Sequence, residues 1–85
     1  MTALNSLINI GNEMQRKLQT AGIADAEQLK ALGAKEAFYQ LKLRFPEVCL
    51  VHLYTLYGAI ENIEYNKLSE ETKKELKTYH NALKQ

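Results

Sequence analysis

The stretch Asn9-Ile10-Gly11 has the residue types and spacing of a tight turn before a helix, and such a turn can bind an anion. Gly11 can adopt backbone angles that are barred to other residues, and we expect a helix to begin directly after it. The first N–H groups of a helix have no partner within the helix and lie at its positive end, where phosphate binds readily. The alternative is a helical hairpin that only packs. The residues that we expect to contact phosphate are Asn9, Gly11, Asn12, Arg16 and Lys17.

Cys49 and His52 are the second pair with chemical potential, because they stand three residues apart on one predicted helix and could touch. A nucleophile would also need a third group to orient the base and an oxyanion site, and the sequence indicates neither. The second histidine, His80, is far from His52 in sequence, and a single cysteine excludes an internal disulfide and a cysteine-rich zinc site. We therefore predict no catalytic residue, metal, cofactor or small-molecule substrate.

The charges of the chain nearly balance, with 11 Lys and Arg against 10 Asp and Glu. This balance argues against a strongly basic nucleic-acid-binding protein, although a local patch remains open. Lys73, Lys74 and Lys77 cluster near the C-terminus, but glutamates are interleaved with them. Spacings such as Glu70 to Lys74 favour ion pairs on a solvated helix face over a nucleic-acid patch.

The length of 85 residues predicts a single domain over 1–85 with a modest core. The N-terminus lacks the basic start and long apolar run of a signal peptide, and no apolar stretch is long enough to cross a membrane. We therefore expect a cytoplasmic protein that does not associate with membranes.

Helix start and stop signals recur along the whole chain. Gly22 is placed as a C-terminal glycine, Asp25 with Gln28 resembles a capping box, and Ser69 can cap a last helix. Apolar residues recur at helical spacing between these signals, and no strand pattern is present. We predict an all-α compact bundle of five or six short helices. The predicted helices span 3–8, 12–20, 26–32, 34–43, 46–62 and 70–83.

The predicted helix 46–62 is apolar around nearly its whole circumference. Pro46 suits its first turn, and Gly58 within it predicts close approach of another helix. A helix that is apolar all round is central, or it packs on a second subunit, and a chain of this size can hardly enclose one. A protein partner or a homodimer on this helix is therefore an open alternative to a central place in the core. The expected interface residues are Leu50, Leu53, Tyr54 and Tyr57.

Four motifs in order carry a resemblance to a known family. They are Leu7-x-Asn9-Ile10-Gly11, Ala21-Gly22-Ile23, Leu29-x-x-Leu32-Gly33-Ala34 and Leu53-Tyr54-x-Leu56-x-Gly58-Ala59-Ile60. Together they resemble the C-terminal domain of the TfoX/Sxy family of bacterial competence regulators, from about residue 4 to about residue 76. The resemblance implies an all-helical domain with a helix-hairpin-helix-like motif and a role in regulating DNA-uptake genes. Asn12 and Tyr65 depart from the family, which commonly has proline and tryptophan there.

Two functional hypotheses remain open. In the first, the chain is a non-enzymatic module of a TfoX/Sxy-like regulator that contacts DNA phosphate through Asn9-Ile10-Gly11, without sequence specificity, in competence or transcription regulation. In the second, it is a protein-interaction or dimerisation module built on helix 46–62 and binds no nucleic acid.

Overall fold

Five α-helices and two short 3₁₀ turns form the regular structure of residues 1–83, the part of the chain that the computed structural model describes. The all-α prediction is therefore confirmed, and the described range contains no strand. Before the Asn9 turn the chain forms a single 3₁₀ turn rather than an α-helix. The helices are α1 (Asn12–Thr20), α2 (Ala26–Leu32), α3 (Ala34–Arg44), α4 (Leu50–Glu61) and α5 (Glu70–Leu83), and the 3₁₀ turns are Leu4–Ser6 and Tyr65–Lys67.

The glycine predicted after α1 and the aspartate predicted before α2 act at those helix ends. Gly22 follows α1 with a φ of +95°, and the next N–H, that of Ile23, donates to the Leu18 carbonyl at 2.9 Å. The Asp25 carboxylate caps α2 by accepting the Gln28 N–H at 2.9 Å. The Gln28 side chain returns to the N–H of Ala24, one residue before the predicted cap. The bounds of α1 are those that the sequence predicted.

The N-terminal segment is pinned to the first turn of α2. The Thr2 carbonyl accepts the Ala26 N–H at 2.9 Å, while the Glu27 carboxylate accepts bonds from the N–H and the hydroxyl of Thr2. These bonds from Thr2 lower the pKa of Glu27 to about 2. Leu4, two residues after Thr2, is fully buried and anchors the segment in the core.

Helix α4 lies at the centre of the fold, where α3, α5 and the Tyr65–Lys67 turn pack around it. Leu53 and Leu56 are fully buried in the same apolar cluster as Phe38 of α3 and Leu76 of α5. The chain therefore covers most of the apolar circumference of α4 by itself.

The predicted start of that helix at Pro46 is wrong, because α4 begins at Leu50. The residues between α3 and α4 instead form a turn in which the Val48 N–H donates to the Phe45 carbonyl at 3.0 Å. The Lys42 ammonium donates to the carbonyls of Pro46 and Val48 and holds this turn. Val48 is buried, so the turn contributes to the core without being helical.

Candidate functional site

Asn9 fixes the conformation of the turn before α1 through hydrogen bonds to the loop that follows α4. Its φ is +73°, a left-handed conformation that asparagine tolerates better than most residues. Its amide Nδ2 donates to the Ile63 carbonyl at 2.9 Å, and its Oδ1 accepts the Tyr65 N–H at 3.2 Å. The side chain is therefore engaged with the protein's own backbone on both sides.

Gly58 makes room for these bonds. A Cβ atom at this position would lie closer to the Ile63 carbonyl oxygen than the sum of their van der Waals radii allows, and 2.5 Å from the Asn9 Nδ2. Asn62 ends α4 with a φ of +61°, and the Ile63 N–H then donates back to the Gly58 carbonyl at 2.8 Å. The sequence predicted close approach at Gly58. The approaching groups are a loop carbonyl and the Asn9 side chain, however, and not a helix.

Gly11, at the other end of the same turn, is exposed and lies in open space. It precedes α1 with an extended backbone, and a Cβ atom built on it would meet nothing within 4 Å. The first bond of the helix runs from the Gln15 N–H to the Gly11 carbonyl at 3.0 Å. Within the described range, no side chain caps the backbone N–H groups that lie between Gly11 and Gln15. Those donors belong to Asn12, Glu13 and Met14.

The side chains around this helix start differ in how available they are. The Asn12 Oδ1 accepts a bond from the Asn5 side chain at 2.9 Å. Glu13, in the first turn, forms an exposed ion pair with Arg16. Lys17 lies in the last turn of α1, with its ammonium 5.5 Å from the centre of the Phe45 ring. The structure therefore brings Asn9, Gly11 and Asn12 together and places Lys17 at the opposite end of the helix.

The four expected interface residues lie on α4 but are not equally accessible. Leu53 is fully buried, whereas Leu50, Tyr54 and Tyr57 are partly buried against the core. Val51, which the sequence did not single out, is 50% exposed. Because nearly every residue of this helix is apolar, the sequence pattern carries no signal that distinguishes its exposed side.

Cys49 and His52 touch, as their spacing allowed, and they form the start of α4. The Cys49 N–H donates to the His52 Nδ1 at 3.0 Å, and the Cys49 Sγ lies 3.5 Å from that nitrogen. Burial lowers the pKa of His52, and the nearby charge of Lys17 lowers it further, which favours the neutral ring that accepts this bond. The contact caps the helix and explains why α4 begins where it does.

Two other features of residues 1–83 bear on function. They include no group of three or more His, Cys, Asp or Glu side chains placed to hold a metal ion. None of the helices in this range has the length and apolar character needed to cross a membrane.

Solved structures with the same fold come from Listeria monocytogenes. An uncharacterized protein in a triclinic crystal form is 40% identical with a TM-score of 0.92, over 95% of this chain and 92% of that one. A protein of unknown function in a tetragonal form is 39% identical with a TM-score of 0.89, over 93% of this chain and 98% of that one. A search of curated proteins gave no significant match.

The sequence profile of one domain family, described as the TfoX C-terminal domain, matches residues 1–80. This match spans nearly the whole chain and includes the Asn9 turn, Gly58 and the loop that joins them. The chain therefore belongs to the TfoX C-terminal domain family.

Proposed function

We propose that this domain is a non-enzymatic binding module that contacts nucleic-acid phosphate through the start of α1, in competence or transcription regulation. The observation that carries the proposal is the exposed, uncapped helix start at Gly11, where a phosphate oxygen can approach the backbone without meeting a side chain. Such a contact reads no bases, so the binding is independent of sequence.

The roles of the contact residues differ within this proposal. Gly11 leaves room for a phosphate oxygen to reach the backbone donors that begin at Asn12. The Asn12 Nδ2 has no acceptor among the described residues and adds a side-chain donor. Asn9 acts indirectly, because its bonds to Ile63 and Tyr65 fix the turn. It is therefore a positioning residue.

The charges near the turn limit the expected affinity. Glu13 repels a phosphate, and its ion pair with Arg16 reduces what that guanidinium contributes. We therefore expect binding in the range of non-specific protein–DNA contacts, with a dissociation constant of about 10⁻⁴ to 10⁻⁶ M at physiological salt. Because released counterions drive such binding, the affinity falls steeply as salt rises.

The test is fluorescence anisotropy of a labelled duplex of arbitrary sequence, titrated with the protein at low and at physiological salt. Gly11→Glu is the informative variant, because open space at this position accepts the side chain while its charge repels phosphate. Gln19→Glu adds the same charge at an exposed position near the other end of α1 and is the matched control.

We expect Gly11→Glu to weaken binding at least tenfold and Gln19→Glu to change it less than twofold. Equal effects of the two variants would remove the helix start from the interface. Absence of binding to the duplex by the wild-type protein at low salt would overturn the proposal altogether.

A protein-interaction or dimerisation module on α4 is the second candidate, and half-exposed Val51 favours it. Partly exposed Leu50 and Tyr54 lie on the same helix and would extend such a surface. Light scattering tests this candidate. A mass of two chains that returns to one chain in Val51→Asp supports dimerisation, and a mass of one chain in the wild type counts against it.

A further inference from the structure

A cleft of about 310 Å³ lies between α4 and α5, away from the start of α1. Three lysines, one glutamate and one tyrosine line it, so positively charged side chains outnumber the single carboxylate. The lining residues are Tyr54, Glu70, Lys73, Lys74 and Lys77.

Charged residues that alternate along the sequence of α5 line different surfaces of that helix in the fold. Glu71 and Glu75, which are interleaved with the lysines in sequence, line a neighbouring groove toward α3, and this groove shares Lys74 with the cleft. There Glu75 is paired with the Lys35 ammonium at 3.1 Å. Glu71 and Glu75 therefore do not line the cleft with Lys73 and Lys77, whereas Lys74 lies between the cleft and the glutamates of the groove.

The remaining carboxylate of the cleft neutralises it only weakly. Glu70 pairs with Lys73 and not with Lys74, at an N–O distance of 4.0 Å, and its side chain is 94% exposed. An exposed ion pair at that distance contributes little free energy. Neither Lys74 nor Lys77 forms an ion pair with any described residue. The cleft is thus a local basic patch on a chain of nearly balanced charge.

The chemistry of the patch fits phosphate groups. Lysine binds phosphate as a point charge, and the three lysines supply that charge in a cleft that no arginine lines. Lys73 and Lys77 stand one helical turn apart, about 6 Å along the axis. Phosphates recur along each duplex strand at an axial rise of roughly 3.4 Å, so two lysines that are flexible and one turn apart meet more than one phosphate.

We propose that this cleft binds the phosphodiester backbone of nucleic acid. Lys73 and Lys77 contact successive phosphates, Lys74 adds charge at the rim, and the Tyr54 hydroxyl donates to a phosphate oxygen. The inference rests on the proposed nucleic-acid-binding function but not on the contact at Gly11.

The test compares two double variants that each lose two positive charges. Lys73→Gln with Lys77→Gln removes the cleft lysines, and Lys30→Gln with Arg44→Gln removes exposed charges from α2 and α3 as the control. Binding to the same labelled duplex is measured by anisotropy at several salt concentrations. We expect the slope of log affinity against log salt to fall by about 2 in the cleft variant, about 1 for each lysine, and by less than 1 in the control.

The outcomes separate this inference from the proposed function. A cleft variant that behaves like the control overturns the inference, even if Gly11→Glu abolishes binding. If the salt dependence of affinity falls in the cleft variant while Gly11→Glu binds the duplex as the wild type does, the cleft is supported and the Gly11 contact is overturned. If the wild type does not bind the duplex at low salt, both fail. Binding of labelled poly-glutamate, but not of duplex, through Lys73 and Lys77 would assign the cleft to acidic proteins and overturn the inference.

Discussion

Asn9 faces the loop that follows α4, whereas Gly11, two residues later, faces open space. The Asn9 end is closed: two hydrogen bonds and the bare Cα of Gly58 leave no room for another atom. The Gly11 end is open, with an ordinary extended backbone that many residues can adopt. A single motif thus combines a structural half with an accessible half.

This contrast teaches that Gly11 and Gly58, two of the four glycines of the family motifs, serve different purposes. Gly58 is required because a methyl group would collide with neighbouring atoms inside the protein. Gly11 is compatible with a side chain in the folded protein, so its lack of one matters only to a molecule that approaches from outside. Stability measurements and binding measurements should therefore respond to opposite halves of the turn.

The largest effect is expected from Gly58→Ala. Alanine favours a helix by about 1 kcal/mol over glycine, but the collision with Ile63 and Asn9 should outweigh this gain. We expect a net loss of about 2–3 kcal/mol in the free energy of unfolding, as for overpacked cores. Urea denaturation followed by circular dichroism measures it. An unchanged urea midpoint would show that the loop shifts to accept the methyl group. Gly58 and Gly11 would then not differ in their importance for stability.

A smaller effect is expected from replacing Asn9 by glycine, and an intermediate one, close to that of Gly58→Ala, from replacing it by alanine. Asn9→Gly removes both hydrogen bonds while permitting the positive φ, and it should cost about 1–2 kcal/mol. Asn9→Ala removes the same bonds and adds about 1 kcal/mol of left-handed strain. The same urea titration should therefore rank wild type above Asn9→Gly and Asn9→Gly above Asn9→Ala. If the Asn9→Ala variant proved as stable as the Asn9→Gly variant, the turn would have relaxed to another conformation.

The smallest effect on stability is expected from Gly11→Ala, the matched control for Gly58→Ala. Its φ of −95° suits alanine, and the new methyl group meets no atom within 4 Å. We expect the free energy of unfolding to change by less than about 0.5 kcal/mol. A loss comparable to that of Gly58→Ala would mean that the open end also supports the fold.

The parts of the fold that could be predicted from sequence are those set by neighbouring residues. Asp25 and Ser69 cap their helices through side chains that bond to N–H groups three residues later. Gly22 and Gly33 have positive φ at the helix ends where glycine is expected. All of these interactions are local, so the residue types alone indicate them.

The parts that could not be predicted depend on distant or unusual partners. The start of α4 is set by Cys49 and His52, and this pair is not among the usual capping residues, whereas Pro46 is a common helix starter. The role of Asn9 depends on Ile63 and Tyr65, and no local pattern of residues places these two beside it. The charge separation on α5 likewise follows from which helix each of its faces meets.

The bonds of Asn9 also bear on the order in which the molecule folds. They join residues 54 and 56 positions apart, and closing a loop of that length costs about 3.5 kcal/mol of chain entropy before a constant term. Helices α1, α2 and α3 depend on nearby residues and can form earlier, whereas this turn must await the arrival of the distant loop. A chain emerging from the ribosome therefore cannot complete the turn until Tyr65 has been synthesised, so the open start of α1 takes its final form only as the whole domain does.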